Sequence, residues 1–391
     1  MSVGHPALVA AIASEIACSG PIPFVRFMDL ALYHPQFGYY IRHPDDGSPR
    51  IGWSGDFYTS ADVHSILGQA VAKQARQIDS LLGSPDPLTI VEMGPGKGLL
   101  ATHILSACQR DSGSFPHRLR YVLIERSPAM REWQRQHLSA FVNQPNLLTW
   151  ADSLEELESG SVTGLMLSNE LIDAFPVHRI QLRNGQIEEL CVDYRDGRFV
   201  ECLRPLSSAL LAHRVRDIHA GWPEGYRTEM NLQALDWVKH VGRCLQRGVV
   251  LTIDYGHTAQ DLYRPDRKNG TFLCYSRHSV NDDPYVRVGE QDMTAHVDFS
   301  SLAAEGEAHG LSVTGFTNQL SFLMGLGVEQ MIGDLEPESP EFHAARHLLK
   351  PNGMGGTFKV LVQHKGLAPP RLDGLRYKPF FGSALTTQSA A

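Results

Sequence analysis

Residues Leu88 to Leu100 read LTIVEMGPGKGLL, a short apolar run ending in an acid, Glu92, with glycines at alternate positions after it. Three ligand chemistries compete for such a turn. A phosphate loop requires GxxxxGK followed by Ser or Thr, whose hydroxyl serves magnesium. Here Gly98 follows Lys97, and the upstream glycine spacing fails. A dinucleotide turn requires GxGxxG, with an acid about twenty residues further on for the ribose. Gly94 and Gly96 fit, but Leu99 takes the third glycine position, and Glu125 lies 31 residues beyond Gly94.

The third chemistry belongs to the turn typical of class I S-adenosylmethionine-dependent methyltransferases: two apolar residues, an acid, one residue, then GxGxG. Ile90, Val91, Glu92, Gly94, Gly96 and Gly98 fill its slots, with Pro95 inside the turn. That cofactor carries no phosphate, so the glycines serve close backbone approach to its nucleoside and methionine parts. Glu92 can answer the methionyl ammonium, directly or through water. Glu125, ending the strand in YVLIERS, suits the two ribose hydroxyls as a bidentate acceptor. Asp152, after the third strand in TWADS, suits the adenine amino group. The plain alternatives are a tight strand-to-helix turn for GPGKG, a solvated strand end for Glu125, and a helix N-cap for Asp152.

The elements that must position these residues follow from periodicity. TIVEMG, RYVLIERS, NLLTWADS and GLMLSNE read as buried strands, alternating with the helices LLATHILSACQR and PAMREWQRQHLSAF. Such alternation predicts an α/β fold, a Rossmann-like mostly parallel sheet with helices on both faces. Ligands then bind outside the carboxyl ends of the strands, where Glu92, Glu125, Asp152, Asn169-Glu170 and Asp254-Tyr255 should converge. After Pro176 the alternation breaks into strand-like segments with Asn184-Gly185 and Asp196-Gly197 as hairpin turns. RGVVLTIDYGH resumes the core, and GGTFKVLVQHKG supplies a last strand. Upstream, DVHSILGQAVAKQARQIDSLL reads as one helix with Val63, Ile66, Leu67, Val71, Ile78 and Leu81 on a stripe; Thr59 and Asp62 stand in capping-box spacing before it.

The organisation expected is a helical N-terminal region with a cofactor-covering loop (1–83), a first core part (84–180), an inserted hairpin and helix segment (181–245), the rest of the core with a loop-rich insertion (246–365), and a peripheral tail (366–391). The segment HPDDGSPRIGWSGDFYTS reads as loop.

Composition excludes several classes. Hydrophobic residues are 42% and charged residues 20%, ordinary globular usage. The net charge of -8, without any run of five basic residues, disfavours a nucleic-acid or anionic-membrane surface. The six cysteines are scattered, with no CxxC pair and no zinc-ligand spacing, so no metal is expected and the thiols read as reduced. No Lys or Arg precedes Arg26 and Glu15 interrupts the first apolar run, which reads as an amphipathic helix rather than a signal peptide. No stretch is apolar enough to span a membrane, and a cytoplasmic or matrix-like compartment is expected.

GDFYTSADVHSILGQ, VEMGPGKG, SNELIDAFPVHRI, LTIDYGH, TAHVDFSSL and MGGTFKVL occur in the order found in the MidA-like proteins, which the chain resembles from about Pro21 to Val362. This is the family of the mitochondrial complex I assembly methyltransferase and its bacterial relatives. The resemblance implies S-adenosylmethionine as cofactor, a protein arginine as acceptor, symmetric dimethylation, and a complex I subunit or another protein as target. It also marks His296 and Asp298 in TAHVDF, to which no chemistry of their own assigns a role.

An arginine acceptor poses a chemical problem, because guanidinium stays protonated at neutral pH and its nitrogen is a poor nucleophile. A carboxylate can bind it bidentately, localise its charge and aim a nitrogen at the methyl group. Glu170 is the first candidate, with Asn169 beside it. Asp173 would share its face if a helix begins after Asn169. His178, after Pro176, could be a base, a substrate contact or a structural filler. Asp56, Thr59 and Ser60 in GDFYTS are candidate polar contacts to the cofactor, or the N-terminal cap of the helix behind them. Two rivals from other classes are an assembly or scaffold protein and a nicotinamide-dependent oxidoreductase. A methyltransferase acting on a small molecule or nucleic acid is a further possibility.

Overall fold

The computed structural model describes residues 3–42, 50–52, 55–216, 218–219, 221–379 and 385. Two compact units interleave along the chain, each assembled from three segments. The first comprises Tyr58–Leu171, Trp237–Gly256 and Phe299–Ala391; the second comprises Met1–Phe57, Ile172–Asp236 and His257–Asp298.

The first unit is built on a sheet of which seven strands are β1 (Leu88–Met93), β2 (Leu119–Ile124), β3 (Leu148–Ala151), β4 (Val162–Asn169), β5 (Leu245–His257), β6 (Ser312–Asn318) and β7 (Phe358–Lys365). They lie in the order β6-β7-β5-β4-β1-β2-β3. The pairs β5–β4, β4–β1, β1–β2 and β2–β3 are parallel, while β7 pairs antiparallel with both β5 and β6 and so alone among the seven runs against the rest. The Rossmann-like expectation is therefore met, with an antiparallel edge. All six residues of β1 are buried, which is why it reads as a continuous apolar run rather than an alternating one. Each such Val, Leu or Ile contributes about 1.5–3 kcal/mol by leaving water.

The chain leaves β1 towards β2 and β3, then returns to place β4 on the opposite side of β1. The strand order thus reverses between β1 and β4. In an open parallel sheet this switch point is where a crevice forms at the carboxyl ends. The register sets Glu92 opposite Leu167 and Met93 opposite Ser168, so Glu92 and Asn169-Glu170 flank that point.

Four helices of this unit flank the strands in sequence: α1 (Ser60–Val63), α2 (Ile66–Leu81), α3 (Leu99–Gln109) and α4 (Pro128–His137). The single helix expected over 62–82 is broken. His64 is extended, and its Nδ1 accepts the Ile66 N–H at 3.2 Å, so α2 starts anew behind it. The predicted stripe also ends differently, for Leu81 is 44% exposed and Leu82 is buried instead. The tail begins packed rather than peripheral. Leu372 is buried, and the Asp373 and Gly374 N–H groups donate to Gln77 Oε1 and Gln74 Oε1.

The second unit carries an antiparallel sheet from Ile22–Pro23, His178–Arg183, Gln186–Arg195, Arg198–Arg204 and Arg227–Met230. Its two hairpins turn at Asn184-Gly185 and Asp196-Gly197, all four with positive φ, as the sequence predicts. Helices Pro6–Ser19 and Phe24–Tyr33 pack in this unit around a core including Phe24, Phe27, Tyr39, Val192 and Phe272. Of the loop expected from His43 to Ser60, residues 43–49 and 53–54 lie outside the described residues.

Candidate cofactor site

The glycine turn joins β1 to α3. Gly94, Gly96 and Gly98 all have positive φ (66°, 51° and 83°), a region that L side chains rarely adopt. Two of them are also tight. A Cβ on Gly94 would sit 2.6 Å from Leu171 Cδ1, and one on Gly98 would sit 3.2 Å from Gln134 Cγ. Backbone bonds hold the turn, Gly94 N–H to the Ile124 carbonyl at 3.2 Å and Gly98 N–H to the Pro95 carbonyl at 2.8 Å. Lys97, the residue that suggested a phosphate loop, is engaged elsewhere. Its ammonium pairs with Asp62 Oδ1 at 2.5 Å, and the two side chains are 14% and 4% exposed. Asp62 Oδ2 accepts from the Thr59 N–H and hydroxyl at 3.0 and 2.8 Å, which is the expected capping interaction. Thr59, Asp62 and the glycine turn are thereby tied together.

Glu92 is buried, and its Oε2 accepts the Tyr121 hydroxyl at 2.6 Å. Burial pushes its pKa up to about 7, against the smaller opposing pull of that hydrogen bond. No cation stands beside it among the described residues, so ionising it costs about 3 kcal/mol more than ionising an exposed carboxyl. A carboxyl in this state fits a cationic ligand, which restores its charge when it binds.

Glu125 follows β2 directly. Its Oε1 accepts the Ser127 N–H at 2.7 Å and its Oε2 accepts Gln134 Nε2 at 3.3 Å. Burial raises its pKa, and these donors oppose the rise. Asp152 follows β3, with a side chain 66% exposed and paired with the Arg131 guanidinium. It is not the N-cap of the short helical turn behind it, a place taken by Ser153.

At the end of β4, Glu170 has φ +51°, uncommon for a non-glycine residue. Its Oε1 accepts the Ser60 N–H at 2.9 Å and Asn169 Nδ2 at 3.1 Å. Asn169 Oδ1 is buried and accepts no hydrogen bond among the described residues. Asp254 holds the backbone that follows, for its Oδ2 accepts the Leu171 N–H at 3.2 Å and its Oδ1 the Tyr255 N–H at 2.9 Å. Ser60 is fixed in turn by Gln319, whose Oε1 accepts its hydroxyl at 3.2 Å.

The helix that would have placed Asp173 one turn from Glu170 does not form. Ile172–Phe175 is a turn closed by the Phe175 N–H on the Ile172 carbonyl at 3.1 Å, so no helix is there for Asn169-Glu170 to cap. Within the second unit, Asp173 is buried and its carbonyl accepts the Ala295 N–H at 2.9 Å. Asp56 accepts the Tyr39 hydroxyl at 2.9 Å and the Arg277 N–H at 2.7 Å. His178 lies on the antiparallel sheet, its Nδ1 at 2.7 Å from Glu189 Oε1. His296 stacks obliquely on His257, with ring centroids 5.2 Å apart, and Asp298 accepts the Tyr263 hydroxyl.

Two groups escape sequence reasoning. Asp292, in the loop-rich span, accepts the Tyr40 hydroxyl at 2.6 Å, and burial pushes its pKa up to about 7, with Asp173 adding to the rise. Nothing local in DMT marks it. Gln134 contacts the turn and Glu125 together; its only sequence hint is Trp150, an indole donor that needs an acceptor when half-buried.

The family described as "Putative S-adenosyl-L-methionine-dependent methyltransferase" matches residues 70–317, more than half of the chain. A crystal structure of a COG1565 superfamily member from Burkholderia thailandensis, bound to S-adenosyl-homocysteine, is 30% identical over 95% of both chains with a TM-score of 0.85. Among curated proteins, "Protein arginine methyltransferase NDUFAF7 homolog, mitochondrial" of Drosophila melanogaster is 28% identical, over 95% of this chain and 87% of its own length. The Danio rerio protein of the corresponding name is 26% identical over 89% and 84%.

Proposed function

We infer that this chain, which belongs to the family of S-adenosyl-L-methionine-dependent methyltransferases, transfers methyl groups to arginine side chains of a protein. The observation that carries the acceptor is the end of β4. There Glu170 presents a carboxylate oriented by the Ser60 N–H and the Asn169 amide, while Asn169 Oδ1 accepts no hydrogen bond among the described residues. A guanidinium is all donor and no acceptor, so a carboxylate and an amide oxygen side by side match it. The curated relatives named as protein arginine methyltransferases support the same acceptor.

The cofactor supplies a methyl group on a cationic sulfur. Glu92 would meet its ammonium, Glu125 its ribose hydroxyls and Asp152 its adenine amino group, while Gly94, Pro95, Gly96 and Gly98 let the backbone approach. Thr59 and Ser60 border this site through Asp62 and Glu170. Glu170 would grip the guanidinium, hold its positive charge on the nitrogens facing the carboxylate, and leave the remaining nitrogen aimed for in-line attack. Asn169 would take one further N–H. The protein target is proposed to be a respiratory complex I subunit, dimethylated symmetrically, in the cytoplasm of a bacterial host; the MidA-like motifs support this, and six free cysteines are compatible with a reducing compartment.

Mass spectrometry of arginine methylation in cells with and without the gene tests the acceptor. At least one dimethylarginine is expected to vanish in the deletion and to return with the wild-type gene. If every modified arginine persists, the acceptor is not arginine.

A further inference from the structure

Gln134 sits in α4 and is fully buried, although glutamine is mostly an exposed residue. Its amide is used at both ends. Nε2 donates to the Gly96 carbonyl at 2.8 Å and to Glu125 Oε2 at 3.3 Å, and Oε1 accepts the Trp150 indole N–H at 2.8 Å. This orientation is over-determined, because a carbonyl and a carboxylate only accept while an indole N–H only donates.

One side chain therefore joins three places: the turn after β1, the acid after β2, and the tryptophan near the end of β3. These are the successive strand ends that carry the proposed cofactor contacts. Glu125 Oε1 is already fixed by the Ser127 N–H at 2.7 Å. Gln134 fixes the other oxygen, and with both held the carboxylate plane has no freedom to rotate. The separation of that plane from Gly96 is set by the same NH2 group. Gly98 packs closely on the same side chain, for a Cβ there would lie 3.2 Å from Gln134 Cγ.

We propose that Gln134 is a positioning residue for the nucleoside: it fixes the Glu125 carboxylate against the glycine turn so that the ribose diol and the methionyl end are met together. The proposal rests on Glu125 as the ribose acceptor. A residue that merely fills space would support every ligand of the site equally. A positioning residue supports the ribose hydroxyls in particular.

Calorimetric titration of the full chain with S-adenosyl-homocysteine and with its 2′-deoxy analogue separates the two roles. A hydrogen bond to a charged group gives the wild type a preference for the hydroxylated ligand of about 10- to 100-fold. In Gln134→Met the preference falls to about 3-fold or less. Equal weakening of both ligands, with the preference intact, overturns the proposal. A wild type without any preference overturns it at its premise instead, and Glu125→Ala then binds both ligands as the wild type does. Should Gln134→Met fail to fold, Gln134→Glu serves. Two facing carboxyls share a proton, so the acid O–H replaces the amide donor and the preference survives at low pH. It disappears at high pH, where both are ionised. A preference in Gln134→Glu that does not change with pH also overturns the proposal.

Discussion

Glu92 and Glu189 are both buried carboxyls, 2% and 0% exposed, yet their surroundings differ in charge. Glu189, in the antiparallel sheet of the second unit, meets His178 Nδ1 at 2.7 Å and the Ser207 N–H at 2.6 Å. Burial opposes its ionisation, but these donors outweigh it and hold the pKa below the usual carboxylate range. Glu92, beside the switch point of the parallel sheet, meets only a neutral hydroxyl among the described residues, and burial wins. A carboxyl satisfied within its own fold is structural. One left without a cation carries a cost that a cationic ligand can relieve. Glu170, at the end of β4, accepts a backbone N–H and a neutral amide.

The largest test concerns Glu170. Glu170→Gln removes the charge but keeps the shape, and should lower the methyl-transfer rate by about 100- to 1000-fold. Affinity for S-adenosyl-homocysteine should stay within about 3-fold, as measured by calorimetry. Full activity would remove Glu170 from the reaction. Next, Glu92→Gln should weaken S-adenosyl-homocysteine by about 100-fold, for a charge-assisted contact is lost. Glu189→Gln should leave that affinity within about 2-fold and lower stability by about 1–3 kcal/mol in denaturant titrations. If the two variants behaved alike, the comparison would collapse.

The pH dependence sharpens it further. Glu92 has a folded-state pKa above its unfolded one. Its contribution to stability is full below about pH 4.5 and is lost as pH rises through about 7. Glu189 runs the other way: its contribution is present above the ordinary carboxylate pKa and is lost as pH falls through its depressed folded value. Binding of a cation should drive a proton off Glu92. Affinity for S-adenosyl-homocysteine is then expected to rise about tenfold from pH 6 to pH 8, with proton release visible in buffers of different ionisation enthalpy. Glu92→Gln should flatten that slope. The smallest effect is expected for Lys97→Met, which breaks the pair with Asp62. A loss of about 1–2 kcal/mol in stability and about 3-fold in cofactor affinity is expected, the latter because Asp62 also holds Thr59.

Much of this was written locally. The apolar run, Glu92 and three glycines are legible because strand burial, a strand-end acid and positive-φ turns are each properties of a few adjacent residues. Asn184-Gly185 and Asp196-Gly197 announced their hairpins for the same reason. The break at His64 is not legible, since a helical stripe on both sides of it hides an extended residue whose imidazole accepts the Ile66 N–H. The helix imagined after Asn169 failed because periodicity cannot see that Glu170 leaves the strand at positive φ. Asp292 is not legible and Gln134 is hinted at only by Trp150, since each matters through partners on other elements.

The sequence by itself therefore determined the strand–helix alternation and the chemical type of each strand end, because these depend on neighbours within a turn or a strand. Only the tertiary structure decided which acids are answered and which are not. It set Glu189 against His178, Lys97 against Asp62 and Arg131 against Asp152, and it left Glu92 with a tyrosine hydroxyl. Charge compensation is a sum over groups brought close by folding, and no local pattern contains that sum.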